Sequence, residues 1–349
     1  LLVTARRKLI DGARHTRVHA DSIPLLLAAA EQAQNLAESN VRFPDERLGM
    51  LFICAHPAID AAARTPLMLQ TVLGLDAARI ASAFLVQPSA MGQRLSRAKA
   101  KIRSARIAFE VPEARQLPER LDAVLEAIYA AYGSGWDDVA GADPRRKGLS
   151  AEAIILGRVL IGVMPSEPEA KGLLALMLHC EARRDARRSA DGRYVPLLQQ
   201  DVRLWSVEMI NEAEQLLWEA SQAGRVGRFQ LEAAIQSAHA MRAKTGGTDW
   251  RSVAVLYERL VQIAPTAGAL VGRAAAVAEA RGSNAGWQLL EQIPTEVVTN
   301  YQPYWACVAH LLDRLGRHID SVSAAERAIA LSEDAAVRKF LVERFVRSH

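Results

Sequence analysis

Aromatic residues make up only 5% of this 349-residue chain, and Ala and Leu dominate it. Runs of β-branched residues are short. Sheets draw on the residue types that are scarce here, so the composition implies an all-α fold. Cysteine is scarce as well. Cys54, Cys180 and Cys307 are far apart and odd in number, which excludes a disulfide framework and implies a cytoplasmic protein. Long hydrophobic runs are missing: none reaches the ~18 residues that cross a bilayer. The longest candidate, Ala153–Met164, is interrupted by Arg158. No secretory leader and no membrane partner are expected. Hydrophobic residues are still 50% of the chain, enough for a sizeable core in two or three domains.

Recognisable catalytic motifs are also lacking. There is no P-loop, no dinucleotide fingerprint and no HExxH. Gly133-Ser134-Gly135 has no strand-turn-helix setting around it, so it is not read as a nucleophile elbow. His179-Cys180 and Cys307-x-x-His310 offer two metal ligands each, where a structural zinc site needs about four, and both pairs lie inside apolar helical patterns. Cys54 and His56 read as packing or capping residues. Asp137-Asp138 with Asp143 reads as a solvated loop, and the six tryptophans as core or groove lining. The expectation is a protein that is not an enzyme and uses no metal or cofactor.

One absence is informative in itself: no Asp or Glu occurs between Asp76 and Glu110. Within that gap the sequence reads as two short helices joined by a turn. Asp76 stands at an N-cap position. Ile80, Ala81, Phe84 and Leu85 repeat at helical spacing as the first helix's inner face. Pro88 disfavours helix at Gln87 and starts the next one. Met91, Leu95, Ala98 and Ile102 form the second helix's inner stripe. Gln93, Arg94, Ser96, Arg97 and Lys101 are left to face outward. Gly92 would let the backbone come close to whatever lies opposite. A helix-turn-helix whose second helix is basic and acid-free suits the DNA major groove. Charge is divided accordingly. Residues 1–110 carry 15 Lys+Arg against 9 Asp+Glu, and the remainder carries 28 against 30. That split suits a nucleic-acid-binding end followed by a protein-binding or regulatory end.

Arg94-Leu95-Ser96-Arg97-Ala98-Lys99 fits the R-[LI]-x-R-[AG]-[KR] pattern, and the stretch resembles region 4 of bacterial extracytoplasmic-function sigma factors. Leu1–Asp11 resembles the last helix of sigma region 2. Arg47–Ala58 resembles the approach to region 4 in a subgroup with a long helical extension bearing tetratricopeptide-like repeats. Leu117–Leu121, Tyr132–Trp136, Leu173–Leu178, Asp201–Trp205 and Gln230–Ile235 resemble that extension. The resemblance implies a sigma factor that directs core RNA polymerase to the minus-35 element of promoter DNA. It implies that Ser89, Gln93 and Arg97 approach base edges while Arg79, Arg94, Lys99 and Lys101 hold phosphates. It also implies that the main polymerase-binding and minus-10 residues of region 2 would precede Leu1, so that this chain should not initiate transcription alone.

The expected organisation is the end of region 2 at 1–15, a connector at 16–44, the helix-turn-helix domain at 45–110, a helical extension at 118–245 and repeats at 246–349. Val111-Pro112 and Leu117-Pro118 mark the boundary after the DNA-binding domain. Further loops are signalled at 132–148, 187–194 and 245–248. Residues 152–184 read as a helix pair hinged at Pro165 and Pro168. The repeats divide as Trp250–Gly282, Ser283–Gly316 and Arg317–His349, close to the ~34-residue tetratricopeptide period. Such an α-solenoid offers a groove for a regulatory protein or peptide, or docks in cis. Two other readings stay open: a helix-turn-helix regulator that never meets polymerase, and a helical-repeat scaffold whose basic helix is incidental.

Overall fold

The computed structural model describes residues 43–105, 110–137 and 148–347. The predicted helix at 1–15 and nearly all of the connector lie outside them, as does most of the loop beyond Asp137. The fold is all-helical. Among the described residues the only β feature is an isolated antiparallel bridge between Arg188 and Tyr194. No described helix is long and apolar enough to cross a membrane. The chain divides into two compact units between Val163 and Met164.

The first unit opens with α1 (Glu46–Cys54), α2 (Ala61–Thr71), α3 (Ala77–Ala83) and α4 (Pro88–Ser104). Asp45, Asp60 and Asp76 cap the first three through side-chain acceptance from backbone N–H groups. Their core is Leu48, Leu51, Phe52, Leu67, Met68, Leu69, Ile80 and Met91. Two longer helices follow, α5 (Leu117–Asp137) and α6 (Leu149–Val163). α5 packs on α1, α2 and α6. The division expected at 110–118 therefore differs from the division between compact units. The reason is local: Arg120 is buried and donates from Nη1 to Phe52 O at 3.1 Å. That carbonyl belongs to the last turn of α1, where no helical N–H can reach it. A cation also complements the negative end of the helix dipole there. At the far end of α5, a Cβ on Gly135 would lie 2.5 Å from Ser150 N, so only glycine lets α6 start this close. Gly133-Ser134-Gly135 thus lies within a helix, with Ser134 Oγ donating to Ala130 O.

The second unit is built on α7 (Pro168–Glu181), which is buried on nearly all sides, as an almost uniformly apolar helix should be. It packs on α8 (Val207–Ser221) and α9 (Arg228–Ala240). The Glu169 carboxylate, on α7, accepts from Phe229 N at 2.9 Å and from Gln230 N at 3.1 Å, capping α9 with an anion. The expected stretch at 152–184 holds two helices, α6 and α7, interrupted at 164–167, and the division between the compact units falls at that interruption. Between α7 and α8 runs an irregular segment with three 3-10 turns.

Further helices then follow: a short α10 (Arg242–Thr245), α11 (Trp250–Ile263), α12 (Ala267–Arg281), α13 (Ser283–Glu291), a short α14 (Thr295–Val298), α15 (Gln302–Arg314), α16 (His318–Leu331) and α17 (Ala335–Leu341), the last running into a π turn at 342–346. Gly282 and Gly316, expected to end repeat units, sit in tight hairpins. They join α12 to α13 and α15 to α16 with φ of +100° and +72°. In both hairpins the second helix approaches through a small residue. A Cβ on Gly286 would lie 2.5 Å from Ala278 Cβ, and buried Ser321 donates to Ala309 O at 2.8 Å.

Candidate nucleic-acid interface

α4 presents its two faces as the sequence pattern implies. Met91, Leu95, Ala98 and Ile102 are buried. Ser89, Gln93, Arg97 and Lys101, successive steps of four, are exposed along one strip. Among the described residues no carboxylate forms an ion pair with Arg94, Arg97, Lys99, Lys101 or Arg103. Pro88 stands in the first turn, and Gln87 at the N-cap makes no side-chain capping bond. The first-turn N–H groups of α4 are therefore open to an anion. Gly92 has no heavy atom within 4 Å of where its Cβ would be, so it serves no close approach within the protein.

The other three predicted residues are less free. Arg79 is half-buried, and its Nε lies 3.6 Å from the Oδ2 of its own cap, Asp76. Lys99 is half-buried, and burial, then the nearby Arg103, holds its ammonium below the usual lysine value. Arg94 points its Nη1 at Ala62 O, 3.5 Å away. The cause lies in α2, where Pro66 has no N–H to give the carbonyl four residues earlier, which is Ala62. The guanidinium sits over a carbonyl that the helix leaves without its partner. Arg94 is thereby placed between α4 and α2, and Arg103, from the same basic run, is the exposed cation omitted from the predicted set.

The turn departs from the sequence-based expectation at one residue. Leu85, expected on the inner face, is 40% exposed, because its φ is +53°. α3 ends with Val86 N donating to Ala81 O and Leu85 N donating to Ser82 O. This is a Schellman closure, which places its C′ residue in the left-handed region usually given to glycine. The helical period cannot continue through such a residue, so the Leu85 side chain swings away from the face that holds Ile80 and half-buried Phe84.

At the end of α1, Cys54 is buried with Sγ 3.7 Å from Thr71 Oγ1, and burial pushes its thiol up to about 11. His56 Nδ1 accepts from Ala58 N at 3.1 Å. Both pack or cap. His179 is fully buried; burial, then Arg183, lowers it to about 4, so it stays neutral although Glu214 Oε1 lies 3.4 Å from Nε2. Cys307 is pushed up to about 12 by burial. Among the described residues no three His, Cys, Asp or Glu side chains converge as a metal site.

Comparison with known proteins gives kinship. Residues 120–221 match a family of unknown function, DUF6596. That segment runs from α5 into α8 and so includes the division between the two units. The chain is 36% identical over 345 residues to the uncharacterized protein R00370 of Rhizobium meliloti (strain 1021), which covers 98% of this chain and 81% of the relative. The chain belongs to the same family as that protein. No solved structure matches it.

Proposed function

We propose that this chain is a transcription protein of the sigma-factor type. In this reading α3 and α4 are a helix-turn-helix of the region-4 kind, with α4 lying in the major groove of the minus-35 element and the chain bound to core RNA polymerase in the cytoplasm. The observation that carries the proposal is the partition of α4: one buried apolar stripe, and one exposed, acid-free strip of Ser89, Gln93, Arg97 and Lys101. Ser89, Gln93 and Arg97 have the reach and chemistry for base edges. Lys101, Arg103 and the open first turn suit phosphates. Arg79, Lys99 and Arg94 lie at the flanks, and Arg94 also braces α4 against α2.

The second unit is read as the regulatory half. Its hairpins are similar to tetratricopeptide repeats. Left-handed glycines recur at Gly246, Gly282 and Gly316, 36 and 34 residues apart by subtraction, and Gly286 and Ser321 are small residues at the helix crossings. Such arrays bind a protein or peptide partner on their concave side.

The test is binding of the full chain to duplex DNA and to core RNA polymerase across salt concentration, followed by fluorescence anisotropy. DNA affinity should fall linearly with salt on logarithmic axes, by about 0.9 in slope for each phosphate neutralised. Arg97→Ala should cost about 1–3 kcal/mol on a selected promoter duplex and relax its specificity at one position. Dimeric binding to a palindrome with no affinity for polymerase would replace the sigma reading with that of an ordinary regulator. Salt-insensitive or absent DNA binding would end both.

A further inference from the structure

In an array of helical hairpins each element touches its neighbours in sequence, and few contacts join distant parts. The second unit has one clear exception. Residues 187–195 form a small hairpin just after α7, closed by the Arg188–Tyr194 bridge and by Val195 N donating to Arg187 O at 2.9 Å. Gly192 turns it with φ of +80°. The base is tied to the first helices of the unit. Arg242, the first residue of the short α10 that follows α9, donates to Leu197 O at 2.9 Å and to Gln200 O at 2.8 Å, and Gln200 Nε2 donates to Val195 O at 3.3 Å. The other side of the hairpin reaches the last helix of the chain, 146 residues away.

Arg188 Nη2 donates to Asp334 Oδ2, and the rings of Tyr194 and Phe340 meet edge to face with centroids 5.4 Å apart. Arg188 also lies over the Tyr194 ring, 5.8 Å from its centroid, so the ion pair and the ring pair support each other. Beside these contacts the two segments stand apart around a cavity of about 350 Å³, lined by Ser189, Arg193, Gln199, Ala336, Lys339 and Glu343 among others. Asp334 also caps α17, because its Oδ1 accepts from Ala336 N at 2.8 Å and Val337 N at 3.3 Å. The carboxylate that holds the hairpin is the same one that starts the last helix.

We propose that the 187–195 hairpin is a clasp. It joins the first helices of the second unit to α17 through Arg188–Asp334 and Tyr194–Phe340, and it opens as a local event while the hairpins between remain folded. The geometry makes this a latch and not core, because the Arg188–Asp334 ion pair and the Tyr194–Phe340 ring pair lie at the edge of a cavity that the two segments leave open. Release frees α17 at the very point where its N-cap is held. The inference concerns the second unit alone and does not rest on the DNA-binding reading of the first.

Hydrogen exchange of the full chain, resolved by peptide, tests it. Asp334→Asn keeps a capping side chain on α17 but removes the charge that Arg188 meets. Arg188→Gln removes the other partner, and Tyr194→Leu removes the ring contacts while leaving both charged partners in place. Each substitution should speed exchange at 187–195 and 335–346 by about tenfold while α11 and α12 keep their protection. The Arg188→Gln/Asp334→Asn double variant should do little more than the larger single, since both break one interaction. Unchanged exchange at 335–346 would overturn the clasp, as would additive effects in the double variant. Loss of protection throughout α7–α12 would overturn it too, by making the hairpin part of the core.

Discussion

Leu85 shows how much one backbone angle can redirect a side chain. It occupies the left-handed position of the α3 closure, where a Cβ is disfavoured by about 1–2 kcal/mol. Its side chain is 40% exposed, so little packing offsets that strain. Leu85→Gly should therefore stabilise the first unit, by up to about 1 kcal/mol once the added chain entropy of glycine is deducted. Urea unfolding of the two proteins measures the difference, and a loss of stability would mean that the Leu85 side chain contributes more than its exposure implies. Arg94 teaches the same lesson for a polar residue. Its place in the basic run marks it as a phosphate ligand, but a proline 28 positions earlier in the chain gives it a carbonyl to cover.

At the scale of elements, the apolar stripe of α4 is fully legible, since Met91, Leu95, Ala98 and Ile102 follow the helical period and all four are buried. The attachment of α5 is not legible in the same way. Pro112 and Pro118 read as a boundary, yet Arg120 reaches back to the Phe52 carbonyl in the last turn of α1 and Thr65 Oγ1 donates to Ala123 O at 3.4 Å. Burial lowers the Arg120 guanidinium from its usual value, outweighing the attraction of Glu119. The residue is held there by what it caps. Arg120→Met should keep the apolar stem and lose the charged hydrogen bond, costing about 1–3 kcal/mol. The expected signature is a lower urea midpoint for the first unit with the exchange protection of α11–α13 unchanged.

For the molecule as a whole, the second unit carries a built-in acid sensitivity. His179 and His239 are both buried, and both are lowered to about 4, by burial first and then by Arg183, with Arg242 adding to it at His239. The folded state keeps them neutral, while the unfolded chain takes up their protons near the ordinary histidine value of about 6.5. Their contribution to stability is therefore complete above about pH 6.5 and is lost as pH falls toward about 4, by at most about 1.4 kcal/mol per pH unit for each histidine. Chemical unfolding of the chain followed by helical circular dichroism should steepen across that window. His179→Leu should remove about half of the slope, and an unchanged slope would show that other groups dominate.

What the amino-acid sequence determined by itself is local and periodic. The helices, their aspartate caps, the buried stripe and exposed basic strip of α4, and the glycine-marked turns near the C-terminus all follow from spacing within a few residues. Tertiary structure decided what depends on partners far along the chain. It divided the units at Val163, turned Arg94 onto α2 and Arg120 onto α1, and carried residues 187–195 across to α17. The physical reason is that a helix's period is written in its own residues, whereas a lone carbonyl, a capping carboxylate or a ring edge acquires its partner only when packing brings the two together.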